Sequence, residues 1–204
     1  MTGVFACVCG KAFPTKSAAA GLKASTGAGY AEAVRDLCSA DGVSRVIDAV
    51  RENVERQTGG PFGAAVFDEK GRLVAPGVNV VVTSNCSILH AEMVAIALAQ
   101  KKLARYDIGD EGRSQYALVA STEPCAMCFG AIPWSGVTQL VCGARDEDAR
   151  RIGFDEGPKL PDWHKALRKR GIRVTRDVLR EEAVAVLDLY AGLGGPIYNP
   201  GRHE

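Results

Sequence analysis

"STEPCAMCFG", residues 121–130, places two cysteines three positions apart directly after a proline. Such a pair is open to three readings: metal ligands, a redox couple, or two small buried side chains. Pro124 suits the first position of a helix, where its missing N–H is not needed. Cys125 and Cys128 then fall in the first turn and face the same way, because residues i and i+3 are neighbours on a helix surface. The positive end of the helix dipole favours thiolates by ~0.3–1 kcal/mol, and thiolate is the form that binds metal. No thioredoxin-like unit surrounds the pair, and the proline precedes it instead of lying between its cysteines, which counts against redox chemistry. Zinc and core packing both stay open on this stretch alone.

"HAEM", residues 90–93, narrows the choice. His90 opens an apolar-periodic helix after the cap-rich "TSNCS". His90 and Glu92 are separated by about 200° around a helix axis, so both reach one point only if the helix is aimed end-on at it. Cysteines in the first turn of a second helix invite the same geometry. The expectation is that two helix N-termini converge, with His90, Cys125 and Cys128 as three ligands of Zn2+. A fourth position is then left for water, the pattern of a catalytic site. Glu92 stands beside that water as its base.

Outward from these two segments, strands and helices alternate. "DGVSRVIDAVRENVERQ" puts Val43, Val46, Ile47, Val50 and Val54 on one helical stripe, capped by Asp41. "FGAAVF", a DEKG turn and "RLVAPGVNVVV" read as a hairpin. "QYALVAST", "VTQLVCG" and "IRVTRD" read as further strands. "HAEMVAIALAQKKLA", "CAMCFGAIPW", "DWHKALRKRG" and "LREEAVAVLDLYAGL" read as helices, with a charged loop after "VTQLVCG". This alternation predicts an α/β fold layered around a mixed sheet. Residues 1–40, rich in Ala, Gly and Ser without amphipathic period, are expected to be a mobile extension, with "YAEAVRDLCSA" as a short helix.

Composition bounds the function. A chain of 204 residues holds one well-cored domain plus extra segments. The net charge of +1 gives no global reason to bind nucleic acid or anionic lipid. Residues 145–180 carry 11 Lys/Arg against 7 Asp/Glu, but the signs are interspersed, as on a solvated face. No apolar run approaches the ~20 residues of a membrane span, and the first residues make a poor secretory signal. Seven irregularly spaced cysteines argue against a disulfide framework and for reduced thiols in the cytoplasm. Glu123 is read as a brace for its loop, and Cys86 and Cys142 as small core residues.

His-x-Glu followed by Pro-Cys-x-x-Cys resembles the signature of the zinc-dependent cytidine deaminase-like superfamily. "GGPFGAAVF", "HAEMVAIALA", "STEPCAMCFGAIPWSGV", "VCGAR" and "IGFDEGP" are similar, more narrowly, to the bacterial guanine deaminase branch, which includes enzymes acting on ammeline. The likeness runs from Asp41 to Tyr198. It implies a three-layer α/β/α sandwich with a central mixed five-stranded sheet, a deaminase domain over 41–190, and a tail over 191–204 that closes on the substrate. It also implies a homodimer acting on a small nucleobase, converting guanine to xanthine and ammonia. Ammeline, cytosine, guanosine and cytidine are alternative substrates. In this branch hydroxide attacks the amino-bearing carbon, Glu92 relays its proton, and a second carboxylate helps ammonia leave. Relatives often carry Gly-Phe-Asp-Asp where this chain has "GFDE", so Glu156 is expected as that carboxylate, with Asp155 as the fallback. The resemblance further implies substrate contacts by Phe62, Asn79, Ala91, Trp134, Asp155 and Tyr198. Two more distant readings are a tRNA adenosine deaminase and a non-catalytic zinc module closed by Cys7 or Cys9.

Overall fold

The computed structural model describes residues 41–199. The expected extension over 1–40, with its short helix, and residues 200–204 of the tail lie outside the described residues. In chain order the elements are α1 (Gly42–Glu55), β1 (Gly63–Asp68), β2 (Leu73–Val78), α2 (Val81–Ser84), α3 (Ala91–Leu103), β3 (Tyr116–Thr122) and α4 (Ala126–Ser135). They continue with β4 (Gln139–Ala144), α5 (Asp146–Arg151), α6 (Trp163–Lys169), β5 (Arg173–Thr175) and α7 (Arg180–Gly192).

The apolar runs of β1, β3 and β4 are explained by burial on both faces, since successive strand residues point to opposite sides. Ala64, Val66, Leu118, Ala120, Leu140 and Cys142 pack against Ala95, Ile96 and Ala99 of α3, Ile132 of α4 and Leu167 of α6. Ala65, Phe67, Val119 and Val141 pack against the α1 stripe and against Ala183, Val186 and Leu187 of α7. The sheet order is β2-β1-β3-β4-β5. β1 runs antiparallel to both β2 and β3, whereas β3, β4 and β5 are parallel. This is the three-layer sandwich around a mixed five-stranded sheet.

A fourteen-residue helix such as α1 is marginal alone. Its five buried apolar side chains, each worth about 1.5–3 kcal/mol on full burial, hold it to the sheet. Gly77 does the same for α3 by lacking a side chain. A methyl there would run into the Ala91 carbonyl oxygen and the Ala95 nitrogen, so β2 and the first turns of α3 touch backbone to backbone. That contact sets the height of His90 over the sheet.

Several local expectations are corrected. The second strand stops at Val78, not Val82. There the Asn79 N–H bonds to the Phe62 carbonyl at 2.9 Å, and Asn79 Oδ1 accepts from the Val81 N–H at 3.2 Å, starting the single turn of α2. Asp41 makes no side-chain cap on α1. Pro124 lies outside α4, because Cys125 is the capping residue and Ala126 the first helical one. The charged loop contains α5, with Asp146, Glu147 and Asp148 in its first turn and Arg150 and Arg151 in its last, matching the helix dipole at both ends. Among the described residues no helix is long and apolar enough to cross a membrane.

Candidate active site

The parallel strand β3 ends at Thr122, and the chain enters α4 through Glu123, Pro124 and Cys125. Glu123 braces this turn. Its N–H bonds to the Ala144 carbonyl at 2.8 Å, and its carboxylate accepts from the Asp146 N–H and from Arg176. Cys125 is therefore held extended, at φ −64° and ψ 174°, immediately before the first helical turn. His90 stands in the same position before α3, at φ −66° and ψ 156°.

The two helix starts converge. His90 Nδ1 lies 3.4 Å from Cys125 Sγ, and Cys128, three residues on, completes a set whose ligand atoms all lie within 4.8 Å of one another. Zn–N bonds near 2.0–2.1 Å and Zn–S bonds near 2.3 Å place tetrahedral ligand atoms about 3.5 Å apart, so this spacing fits zinc. One imidazole and two thiols are a zinc donor set, and they leave one coordination position unfilled by the described residues. Cys7 and Cys9 lie outside the described residues.

Electrostatics point to the same cation. The Cys125 thiol is drawn down to about 4, first by the hydrogen bond from the Cys128 side chain and then, against the opposing effect of burial, by His90. Cys128 is pushed up by that same bond and by burial, so the pair holds one proton that a divalent cation would displace. Burial pulls His90 down, but the hydrogen bond and charge of Cys125 outweigh it and the imidazole is raised. Glu92 is pushed up to about 7 by burial, with the Cys125 charge adding to it. Glu156 is pushed up to about 8 by burial and then by Cys125 and Glu92. Two carboxyls and a thiolate crowd one buried space, and a cation relieves all three.

That space is a cavity of about 80 Å³, with Phe62, His90, Glu92, Cys125, Glu156 and Tyr198 among its walls. Phe154 stands edge-on between Phe62, at 4.9 Å, and Tyr198, at 5.1 Å. The tail beyond α7 closes one side. Tyr190 Oη donates to the Pro196 carbonyl at 2.7 Å, Asn199 Oδ1 accepts from the Asp155 N–H at 2.8 Å, and Asn199 Nδ2 donates to the Gly153 carbonyl at 2.8 Å. The Tyr198 hydroxyl is buried without a hydrogen-bond partner.

Not every expected contact lines this cavity. Asp155 does, but its Oδ1 accepts from the Gly157 N–H at 2.9 Å, which turns the carboxylate toward its own loop. Asn79 is buried with its Nδ2 unpartnered and is not part of the cavity wall. Ala91 is buried as the first residue of α3, also outside the wall. Trp134 is 78% exposed and makes no wall of the cavity in this chain. Five wall residues were not singled out from sequence: Gly63, Ser121 and Thr122 on the strands, Phe154 inside the "GFDE" segment, and Asn199 next to Tyr198. An aromatic directly before two acids was a usable signal; Asn199 carried none. Cys142 is a core residue as expected, whereas Cys86 is only partly buried.

Comparison with known proteins agrees with this geometry. The family model for the cytidine and deoxycytidylate deaminase zinc-binding region matches residues 40–144. The chain is 35% identical to the guanine deaminase of Bacillus subtilis (strain 168) over 139 residues, covering 68% of this chain and 85% of that protein. The solved structure of guanine deaminase from Nitrosomonas europaea is similar at a TM-score of 0.71 and 48% identity, covering 74% of this chain and 82% of that one. NE0047 in complex with 2,6-diaminopurine is similar at a TM-score of 0.72 and 49% identity, covering 77% and 83%. The chain belongs to the zinc-binding cytidine and deoxycytidylate deaminase family, within which it resembles guanine deaminases, and it is a hydrolytic deaminase.

Proposed function

We propose that this deaminase converts guanine to xanthine and ammonia. The observation that carries the reading is the pairing of two buried carboxyls, Glu92 and Glu156, in one small aromatic-walled cavity beside the His90–Cys125–Cys128 cluster. Those three side chains would hold zinc, which would supply the Lewis acidity that activates water at neutral pH. Glu92, buried in the cavity wall beside the cluster, is placed both to take a proton from the attacking water and to give it to the ring nitrogen beside the amino-bearing carbon. Glu156, buried on the same wall, is placed to pass a proton to the departing amino group. Phe62, Phe154 and Tyr198 form apolar walls for a flat base, and the bonds of Asn199 to the 153–155 loop keep Tyr198 in place.

The comparisons support a purine base. NE0047 binds 2,6-diaminopurine, and its variants altered at an asparagine or a glutamate were crystallised with 8-azaguanine. That asparagine and that glutamate stand as far apart in their sequence as Asn79 and Glu156 stand here. The same reading includes Asp155 as the fallback for Glu156, the described tail residues 193–199 as a closing segment, a cytoplasmic location and a homodimer. Exposed Trp134, Ile88 and Val82 offer apolar surface to a second copy. Light scattering at micromolar concentration tests that assembly.

Ammonia release from zinc-loaded protein, measured in parallel with guanine, ammeline, cytosine, guanosine and cytidine, tests the substrate. Guanine is expected to exceed the others by at least about tenfold in kcat/KM, as expected when a site's polar groups are matched to one base. No release from guanine would sink the reading. tRNA-specific adenosine deaminases are also relatives of this chain. Salt-sensitive tRNA binding with inosine formation would favour that activity instead.

A further inference from the structure

We infer that Lys159 is a positioning residue that fixes the Glu156 carboxyl against the zinc-ligand turn; the inference rests on the reading of Glu156 as the second proton carrier. Lys159 lies three residues beyond Glu156, across Gly157 and Pro158. Its side chain is only 6% exposed, which is costly for an ammonium unless it is fully partnered. It has three partners. Nζ donates to the Pro124 carbonyl at 2.8 Å, pairs with Asp146 Oδ1 at 2.8 Å, and lies 5.2 Å from the centre of the Trp163 ring.

The partners sit on three elements: the turn just before Cys125, the start of α5 and the start of α6. On the other side of Glu156, the Ala126 N–H bonds to the Glu156 carbonyl at 2.8 Å. The segment Glu156–Gly157–Pro158–Lys159 and the segment Pro124–Cys125–Ala126 therefore form one ring, closed by two hydrogen bonds. Gly157, at φ 70°, makes the turn possible, since a side chain there would crowd Ala126. Arg150 adds a bond to the Gly157 carbonyl at 2.8 Å. Cys125 is the residue between the two bonded positions, Pro124 and Ala126, so the ring sets how far the Glu156 carboxyl lies from the metal-binding thiol. Lys159 does not line the cavity, so it acts on the substrate only through what it holds, the Glu156 segment and the turn before Cys125, and zinc content separates the two routes.

The test is a double-mutant cycle on guanine turnover, with zinc content and thermal unfolding measured on every variant. Lys159→Met should lower kcat by about 10–100-fold, the usual cost of removing a support behind a site residue. Its KM should stay within about threefold and its zinc content unchanged. Lys159→Gln, which keeps a donor but loses reach, should show a smaller loss of the same kind and serves where the methionine variant does not fold. In a Glu156→Gln background, followed at raised enzyme concentration, either change should cost less than about twofold more, because the carboxyl it positions is gone. Equal losses in both backgrounds, or an unchanged kcat in Lys159→Met, would overturn the inference. A Glu156→Gln enzyme with unaltered kcat would instead sink the Glu156 reading itself, and the inference with it.

Discussion

His90 and Cys125 occupy the same place in two different helices, each the last extended residue before the first turn, and their Nδ1 and Sγ atoms lie 3.4 Å apart. Both helices thus aim their N-terminal ends at one point, where a thiolate gains from the dipole and a metal gains from the thiolate. Replacing Cys125 or Cys128 by alanine should abolish stoichiometric zinc binding. It should also leave the fold intact, because the layers on either side of the sheet are apolar and do not depend on these side chains. Metal analysis paired with circular dichroism checks both halves. Dialysis against a chelator should silence the wild-type enzyme, and added zinc should restore it.

Glu92 is buried and points the same way. Glu92→Gln should give folded, zinc-loaded protein with kcat reduced by about 10²–10⁴-fold, the range for loss of a positioned acid–base group. A variant with more than a tenth of wild-type turnover would remove Glu92 from the chemistry.

Glu156 links the site to stability. Its folded pKa of about 8 lies above the ordinary value of 4.5 because the carboxyl is buried near negative groups. Stability from the protonated form is complete below about pH 4.5 and is lost as pH rises through about 8, since the unfolded chain ionises first. In metal-free protein at pH 8.5, Glu156→Gln should therefore be more stable than wild type, by on the order of a few kcal/mol, and unfold at a higher temperature. The difference should shrink toward zero at pH 4.5. A gap that stayed constant across that range would contradict the burial argument.

Gly77 offers a test of how the sheet positions the histidine. Gly77→Ala forces β2 and α3 apart and should destabilise the protein by about 1–3 kcal/mol, the cost of overpacking. Zinc affinity should weaken as well, through displacement of His90 at the start of α3. Denaturant unfolding and a zinc-competition titration would read the two effects separately.

Much of this was legible in the sequence because the chemistry sits in local patterns. Pro-Cys-x-x-Cys and His-x-Glu each fall at a strand-to-helix or loop-to-helix junction, and apolar runs without alternation announce strands buried on both faces. The exposure of Trp134 was legible as well. Cys128, Ile132 and Ser135 mark the buried stripe of α4, and Trp134 is about 200° around the helix from Ile132. The cavity roof was harder to read. Phe154 and Tyr198 meet only because the tail folds back, anchored by an asparagine whose two bonds go to backbone. The end of β2 was hidden for a similar reason. Val80, Val81 and Val82 have strong strand propensity, but Asn79 spends its side chain starting a turn.

The most direct measurement is X-ray absorption spectroscopy at the zinc edge on protein isolated without added chelator. The account predicts one metal per chain, with two sulfur neighbours at about 2.3 Å and two nitrogen or oxygen neighbours at about 2.0–2.1 Å. Three or four sulfur neighbours, or protein that carries no zinc, would contradict it.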